Sequence, residues 1–433
     1  MAMDGKELVE KLAKLSQVQS IKDIPQLTHA LFPGTHCPLM GAAMAVGGIK
    51  DSLIVVVGTD ECTYYTKSMT IHSEKFGGID GRCVSVVLDD HDVTFGSAEK
   101  VQEAFKEIIE EYRPQCVFLV TTCVIEIIGD DFDAISEGLS ELYGIPVLPV
   151  HTEHFKCEDH LPGLERTITV CAEMMKSCDC DNSVNLLGQR MGDFATTELY
   201  AMLQKAGVKI GLQLPCGCSV DDIKNAAAAK VNIVVNDIAL PLAQKMQEKF
   251  GIPYVYFNKF VIPEKIYEAY KNLFGYLELE LPGELEGLYQ NAREKIEKNK
   301  GELEGITYIY GNTPYAVFEM NCFLSSLGMV PQVIQTNRYT EADEPYAKEI
   351  LQYTDPYVCK AANIAPLQYV YDVLSPYLYL GHEFGNRLRQ KGIAIVHSDR
   401  ASGMLGFEVT GYLLQQLVKS VREAKEYRKE LCL

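Results

Sequence analysis

Three cysteines, Cys37, Cys62 and Cys123, have the residue type and setting for chemistry. They sit in Thr35-His-Cys-Pro38, Gly58-Thr-Asp-Glu-Cys-Thr-Tyr-Tyr65 and Val120-Thr-Thr-Cys-Val-Ile-Glu126. Two of them closely follow apolar runs, Leu53 to Val57 and Cys116 to Val120, that read as buried parallel strands. All three are therefore expected where a strand gives way to a turn. Ligands of open α/β sheets bind beyond that carboxyl edge, and soft thiolates hold the iron of iron–sulfur clusters. Three thiols from one edge suit such a cluster. The bland alternative is that each is a small buried hydrophobe, a common fate of free cysteine. Structural zinc usually shows a knuckle of two closely spaced cysteines, which none of the three has.

Other candidates rank lower. His151, His154, Cys157 and His160 share one loop, read here as a polar connection rather than a metal site. Cys178-Asp-Cys180 and Cys216-Gly-Cys218 read as reduced thiols in loops. His382 and His397, with Asp399 and Arg400, are expected at strand ends in the last third of the chain. Histidine exchanges protons near neutral pH, so these two could protonate a reduced substrate; a surface-loop role is the equal alternative.

The elements that must position these residues alternate in type. A helix is expected over Asp4 to Ser16, then strands at Leu53 to Val57 and Val84 to Leu88, a helix from Ala98 to Tyr112, the strand Cys116 to Val120, a helix from Asp130 to Tyr143 and the strand Pro146 to Val150. The rhythm restarts at Val184 and again at Thr307, after a charged helical connector from Pro282 to Glu304. This is the pattern of α/β domains with parallel sheets. We expect three tandem doubly wound, Rossmann-like units: 1–183, carrying the cysteines, 184–304 and 305–433.

Composition narrows the function. With 59 acidic against 40 basic residues, the net charge is −19 and no basic block stands out, so nucleic acid is not an expected partner. No apolar stretch is long enough for a membrane span and the first residues lack an apolar signal core, so a cytoplasmic protein is expected. Fourteen cysteines there imply reduced thiols. Neither a Walker A loop nor a Gly-x-Gly-x-x-Gly fingerprint is present, which leaves direct ATP hydrolysis and nicotinamide chemistry without a signature.

Cys37, Cys62 and Cys123, spaced by 25 and 61 positions, together resemble the cluster-binding cysteines of the nitrogenase component 1 superfamily. Gly144 to Phe155, Lys249 to Asn258, Gly381 to Asn386 and His397 to Phe407 resemble further segments of that family in the same order. The resemblance implies three α/β domains and pairing with a homologous subunit as a homo- or heterodimer, or within a tetramer. It also implies a separate ATP-hydrolysing iron protein as electron donor. Cys37, Cys62 and Cys123 would hold an iron–sulfur cluster, either 4Fe–4S or P-cluster-like, with a fourth ligand from the partner or from Asp60. A second metallocluster or a tetrapyrrole substrate in the inter-domain cleft is left open.

The departures matter too. The family's cofactor cysteine should fall within Val231 to Asp237 and its cofactor histidine near Met404-Leu405-Gly406, yet neither residue type is there. Dinitrogen reduction by this chain is therefore not expected. The expected function is that of a cluster-bearing subunit of a nitrogenase-like reductase, passing low-potential electrons to a substrate or metallocluster in the cleft. The alternatives are a scaffold for metallocluster maturation and a cluster-free binding protein.

Overall fold

Apolar runs without alternation form strands buried on both faces, and the described residues build from them three larger, mostly parallel sheets, beside one two-stranded sheet. The computed structural model describes residues 4–27, 36–64, 82–157, 159–190, 192–311, 313, 315–360 and 364–432. Thr35 and Tyr65, at the ends of two cysteine motifs, lie outside the described residues. In the first sheet Ser52–Gly58 runs between Cys83–Val87 and Cys116–Thr121, with Val147–Val150 outermost and every pair parallel. The second sheet repeats that order: Val184–Gln189 lies between Ile210–Pro215 and Val231–Val234, and Tyr254–Tyr256 closes one edge. The third sets Thr307–Tyr310 between Val330–Gln335 and Leu378–Leu380, flanked by Tyr357–Cys359 and Ala394–Val396. In each sheet the opening parallel strand is internal and the strand order reverses beside it. That is the doubly wound arrangement, with a switch point where ligands bind.

The first residues depart from expectation. The helix expected over Asp4 to Ser16 is only Gly5–Glu10, and Ala13–Lys14 then pairs antiparallel with Tyr357–Cys359 at the edge of the third sheet. Burial overrides helical periodicity here: Leu8, Leu12 and Leu15 enter the cores around that sheet. Lys14 adds a hydrogen bond from Nζ to the Asp355 carbonyl at 2.9 Å and lies 3.6 Å from the Tyr357 ring centroid.

Among the described residues the first and second sheets share a core and are joined by several contacts, two of them at the backbone. Ile49–Lys50 pairs with Cys218–Ser219, and Gly48 lies so close to Pro215 that a Cβ would meet its carbonyl oxygen at 1.8 Å. The helix Glu408–Glu430 closes the third core, where Val409, Leu413, Leu417 and Val421 are buried. Among the described residues no helix is long and apolar enough to cross a membrane.

Candidate functional site

Cys62 and Cys123 leave from the two strands that flank the first sheet's switch point. Ser52–Gly58 and Cys116–Thr121 are hydrogen-bonded neighbours, with Val57 opposite Thr121. Their carboxyl ends touch: a Cβ on Gly58 would lie 2.1 Å from Thr122 Oγ1, so only glycine permits this approach. Each strand leads into a helix start rather than the open turn expected. Cys62 lies in the first turn of a helix that begins at Asp60, and Cys123 opens the helix Cys123–Ile128. Cys37 is the N-cap residue of Pro38–Gly47. Helix starts carry unpaired N–H groups and a positive dipole end, which favour thiolate over thiol.

A close helix crossing sets the position of Cys37. Pro38–Gly47 packs on Leu161–Val170 with glycine on both sides. A Cβ on Gly41 would fall 1.9 Å from the His160 carbonyl oxygen, and one on Gly163 would fall 1.8 Å from that of Pro38. The residue pressed by Gly163 directly follows Cys37.

Glu126 fixes the Cys123 helix. Its Oε1 accepts from Thr121 Oγ1 at 2.8 Å, Thr152 Oγ1 at 3.2 Å and the Glu153 amide at 2.6 Å. Arg166 secures the same loop through the Thr152 carbonyl at 2.6 Å and the Glu153 carboxylate at 2.6 Å. The loop so held brings His154 Nδ1 to 3.6 Å from Cys123 Sγ.

The three sulfurs sense one another. Burial pushes the Cys62 thiol up; the neighbouring Cys123 and Cys37 sulfurs push it further, while the Thr59 hydroxyl pulls it back. Cationic iron, which takes thiolates as ligands, would offset the charge crowded around Cys62. Thr122 Oγ1, adjacent to Cys123 in sequence, is buried without a hydrogen-bond partner among the described residues. No three His, Cys, Asp or Glu side chains among the described residues converge as a single metal ion requires. Soft thiolates are the ligands that iron–sulfur clusters take, one per iron.

The remaining candidates separate. His151 pairs with Asp133 at 3.2 Å, Cys157 donates to the Thr152 carbonyl at 3.7 Å, and His160 is turned toward His36 with ring centroids 6.5 Å apart. His154 alone of that loop joins the cysteines. Asp60 is exposed. His382 and His397 follow the adjacent strands Leu378–Leu380 and Ala394–Val396, and both are exposed; His382 Nε2 pairs with Asp399 at 3.3 Å. Sequence reasoning missed Glu126 and the role of His154, whose spacing from Cys123 in sequence gives no hint of contact. It also missed Lys259, buried, and Arg190, half-buried, near the end of the middle sheet.

Together the sheets and thiols define a class: α/β proteins of three doubly wound sheets with cysteines beyond the strands at the first sheet's switch point. A family model described as nitrogenase component 1 type oxidoreductase matches residues 37–422, and the chain belongs to that family. Members of the family hold iron–sulfur clusters, the kind of cofactor that the thiols fit. Its relatives include the nitrogenase iron-molybdenum cofactor biosynthesis protein NifE of Clostridium pasteurianum, 31% identical over 224 residues, which are 51% of this chain and 49% of that protein. The chain thus spans about half the length of this relative. NifE of Rippkaea orientalis is 25% identical over 73% of this chain and 69% of its own. The nitrogenase molybdenum-iron protein alpha chain of Methanosarcina barkeri is 24% identical over 72% and 62%. Among solved structures, "Nitrogenase Cp1 at pH 6.5" superposes with a TM-score of 0.78 over 93% of this chain and 95% of that one, at 14% identity, which shows the shared fold.

Proposed function

We propose that this chain is the iron–sulfur subunit of a nitrogenase-like reductase. Cys37, Cys62 and Cys123 would hold the cluster, 4Fe–4S or P-cluster-like; what supports this reading is that Cys62 and Cys123 lie at helix starts just beyond the two strands at the first sheet's switch point, with the Cys37 sulfur near enough to raise the Cys62 thiol. When bound, the cluster supplies one-electron transfer at low potential. The chain's own groups do the rest. Helix N–H groups and the Thr59 and Thr122 hydroxyls stabilise sulfur charge, and the Glu126 hub keeps Cys123 in register with the loop that carries His154.

In this reading, unit 1–183 takes electrons from an ATP-hydrolysing iron protein at a surface shared with a homologous subunit. Units 184–304 and 305–433 build the cleft for the substrate or metallocluster. His382, oriented by Asp399, and the exposed His397 deliver protons there. The exposed thiols of Cys178 and Cys180 suit a reducing, cytoplasmic setting.

The names of two relatives favour a second reading, a scaffold on which a metallocluster matures before transfer. Electron counting separates the two. Mixed with iron protein, ATP and a low-potential reductant, a reductase supplied with substrate consumes electrons continuously. A scaffold stops after a stoichiometric uptake and releases its cofactor to an acceptor protein. Uptake that is unchanged in Cys62→Ser would rule out both.

A further inference from the structure

The loop after Val147–Val150 is pinned more firmly than an exposed connection requires. Glu153 takes a left-handed backbone, φ 43° and ψ 47°, which a side chain disfavours and which persists only where neighbouring contacts hold it. Three contacts do so here. The Glu153 amide donates to Glu126 Oε1 at 2.6 Å, and its carboxylate pairs with Arg166 at 2.6 Å and with Lys156 at 2.5 Å. Thr152, just before it, is buried and donates from Oγ1 to the same Glu126 oxygen at 3.2 Å.

The turn made at Glu153 leads into the 3-10 helix His154–Lys156, and the first side chain of that helix faces the exit of the neighbouring strand. His154 Nδ1 thereby stands 3.6 Å from Cys123 Sγ, with the Phe155 ring stacked beside the imidazole at 5.8 Å between centroids and 13° between planes. Chemistry fixes the direction of this contact once Cys123 is a ligand. A thiol can donate, but a sulfur bound to iron carries no proton and can only accept, so Nδ1 must be the donor. A hydrogen bond to a ligand sulfur withdraws charge from the iron and favours the reduced, more negative cluster.

We propose that His154 is a positioning residue that sets the reduction potential of the thiol cluster, acting through Cys123 by donating its Nδ1–H to the sulfur, and that the Glu153 turn is held in order to keep it there. The inference rests on the cluster reading above and adds control of the electron step by one residue. His154 is exposed, so its replacement removes the donor without opening the core.

Redox titration of the full chain, purified without oxygen and followed by electron paramagnetic resonance at one fixed pH, tests this. His154→Ala is expected to bind as much iron as wild type, to unfold at the wild-type temperature and to shift the midpoint potential to more negative values. His154→Asn, whose amide can place an N–H where Nδ1 stood, should recover most of that shift. His154→Phe keeps a ring without the donor and should not recover it. A wild-type potential in His154→Ala, a shift in His154→Asn as large as that in His154→Ala, recovery in His154→Phe, or iron lost from His154→Ala would each overturn the inference, the last because His154 would then be a ligand or a support of the fold. All four results leave the cluster reading standing. Iron-free wild-type protein is the separate result that overturns the cluster reading, and this inference falls with it.

Discussion

Thr122 and Glu319 both carry a buried oxygen without a hydrogen-bond partner among the described residues, and their surroundings give them opposite meanings. Thr122 directly precedes Cys123, and in the cluster reading proposed above a cluster sulfur would be its acceptor. Thr122→Val is expected to leave the stability of the iron-free protein unchanged or slightly raised. In the iron-loaded protein it should move the cluster's midpoint potential to more negative values, as loss of a hydrogen bond to cluster sulfur does. Redox titration of both proteins checks this, and equal potentials would detach Thr122 from the cluster. Glu319 lies far from those cysteines in sequence, in the helix Val317–Ser326, and burial pushes its carboxyl up to about 7 from an ordinary 4.5. The folded state therefore binds the extra proton between those values. Its contribution to stability is full below about 4.5 and is lost as the pH rises through about 7. Glu319→Gln should remove that loss, roughly 3 kcal/mol between pH 5 and 8 in urea unfolding. Parallel pH profiles for the two proteins would contradict it. Cys37, Cys62 and Cys123 stand out in the sequence as candidates because two of them closely follow long apolar strands and the three match a family's spacing. Glu126 and His154 were not, because their importance lies in hydrogen bonds between the Cys123 helix and the next strand's loop.

At the level of elements, strands read clearly and buried helices did not. Ser52–Gly58 and Cys116–Thr121 are buried along their full length, and their uninterrupted apolar runs announce it. Pro38–Gly47 is buried on nearly every side, so it has no polar face and no helical period to detect. Its crossing with Leu161–Val170 depends on two glycines, whose value is the absence of a side chain. Gly163→Ala should force the helices apart at Pro38, destabilise the fold by roughly 1–3 kcal/mol and lower the iron bound per chain, as the displaced element carries Cys37. Iron retention at wild-type level in a folded Gly163→Ala protein would show that Cys37 is dispensable. The opening residues teach the converse. Gly5–Glu10 ends early because Ala13–Lys14 finds a sheet edge more than three hundred residues away in sequence, a pairing no local pattern encodes. Leu15→Ala is expected to cost about 2–5 kcal/mol, measured by denaturant unfolding, because Leu15 belongs to the third core. A surface-like cost well below 1 kcal/mol would contradict that packing.

Over the whole molecule the three sheets share one plan with different residues at each switch point: thiols on the first, Arg190 on the second, and His382 beside the third. Repetition of the strand–helix rhythm made the three-unit plan legible, whereas the contacts between units, such as Ile49–Lys50 on Cys218–Ser219, were invisible because each side contributes only two residues. The central claim is that Cys37, Cys62 and Cys123 hold an iron–sulfur cluster. Its most direct test is iron and acid-labile sulfide content, with an electron paramagnetic resonance spectrum, of protein purified without oxygen from cells competent in cluster assembly. The expected result is about four irons per cubane site, or more for a larger bridged cluster, with the signal lost in the serine variant of each cysteine. Colourless, iron-free wild-type protein, or iron that persists in all three variants, would contradict the claim and leave the fold without its cluster.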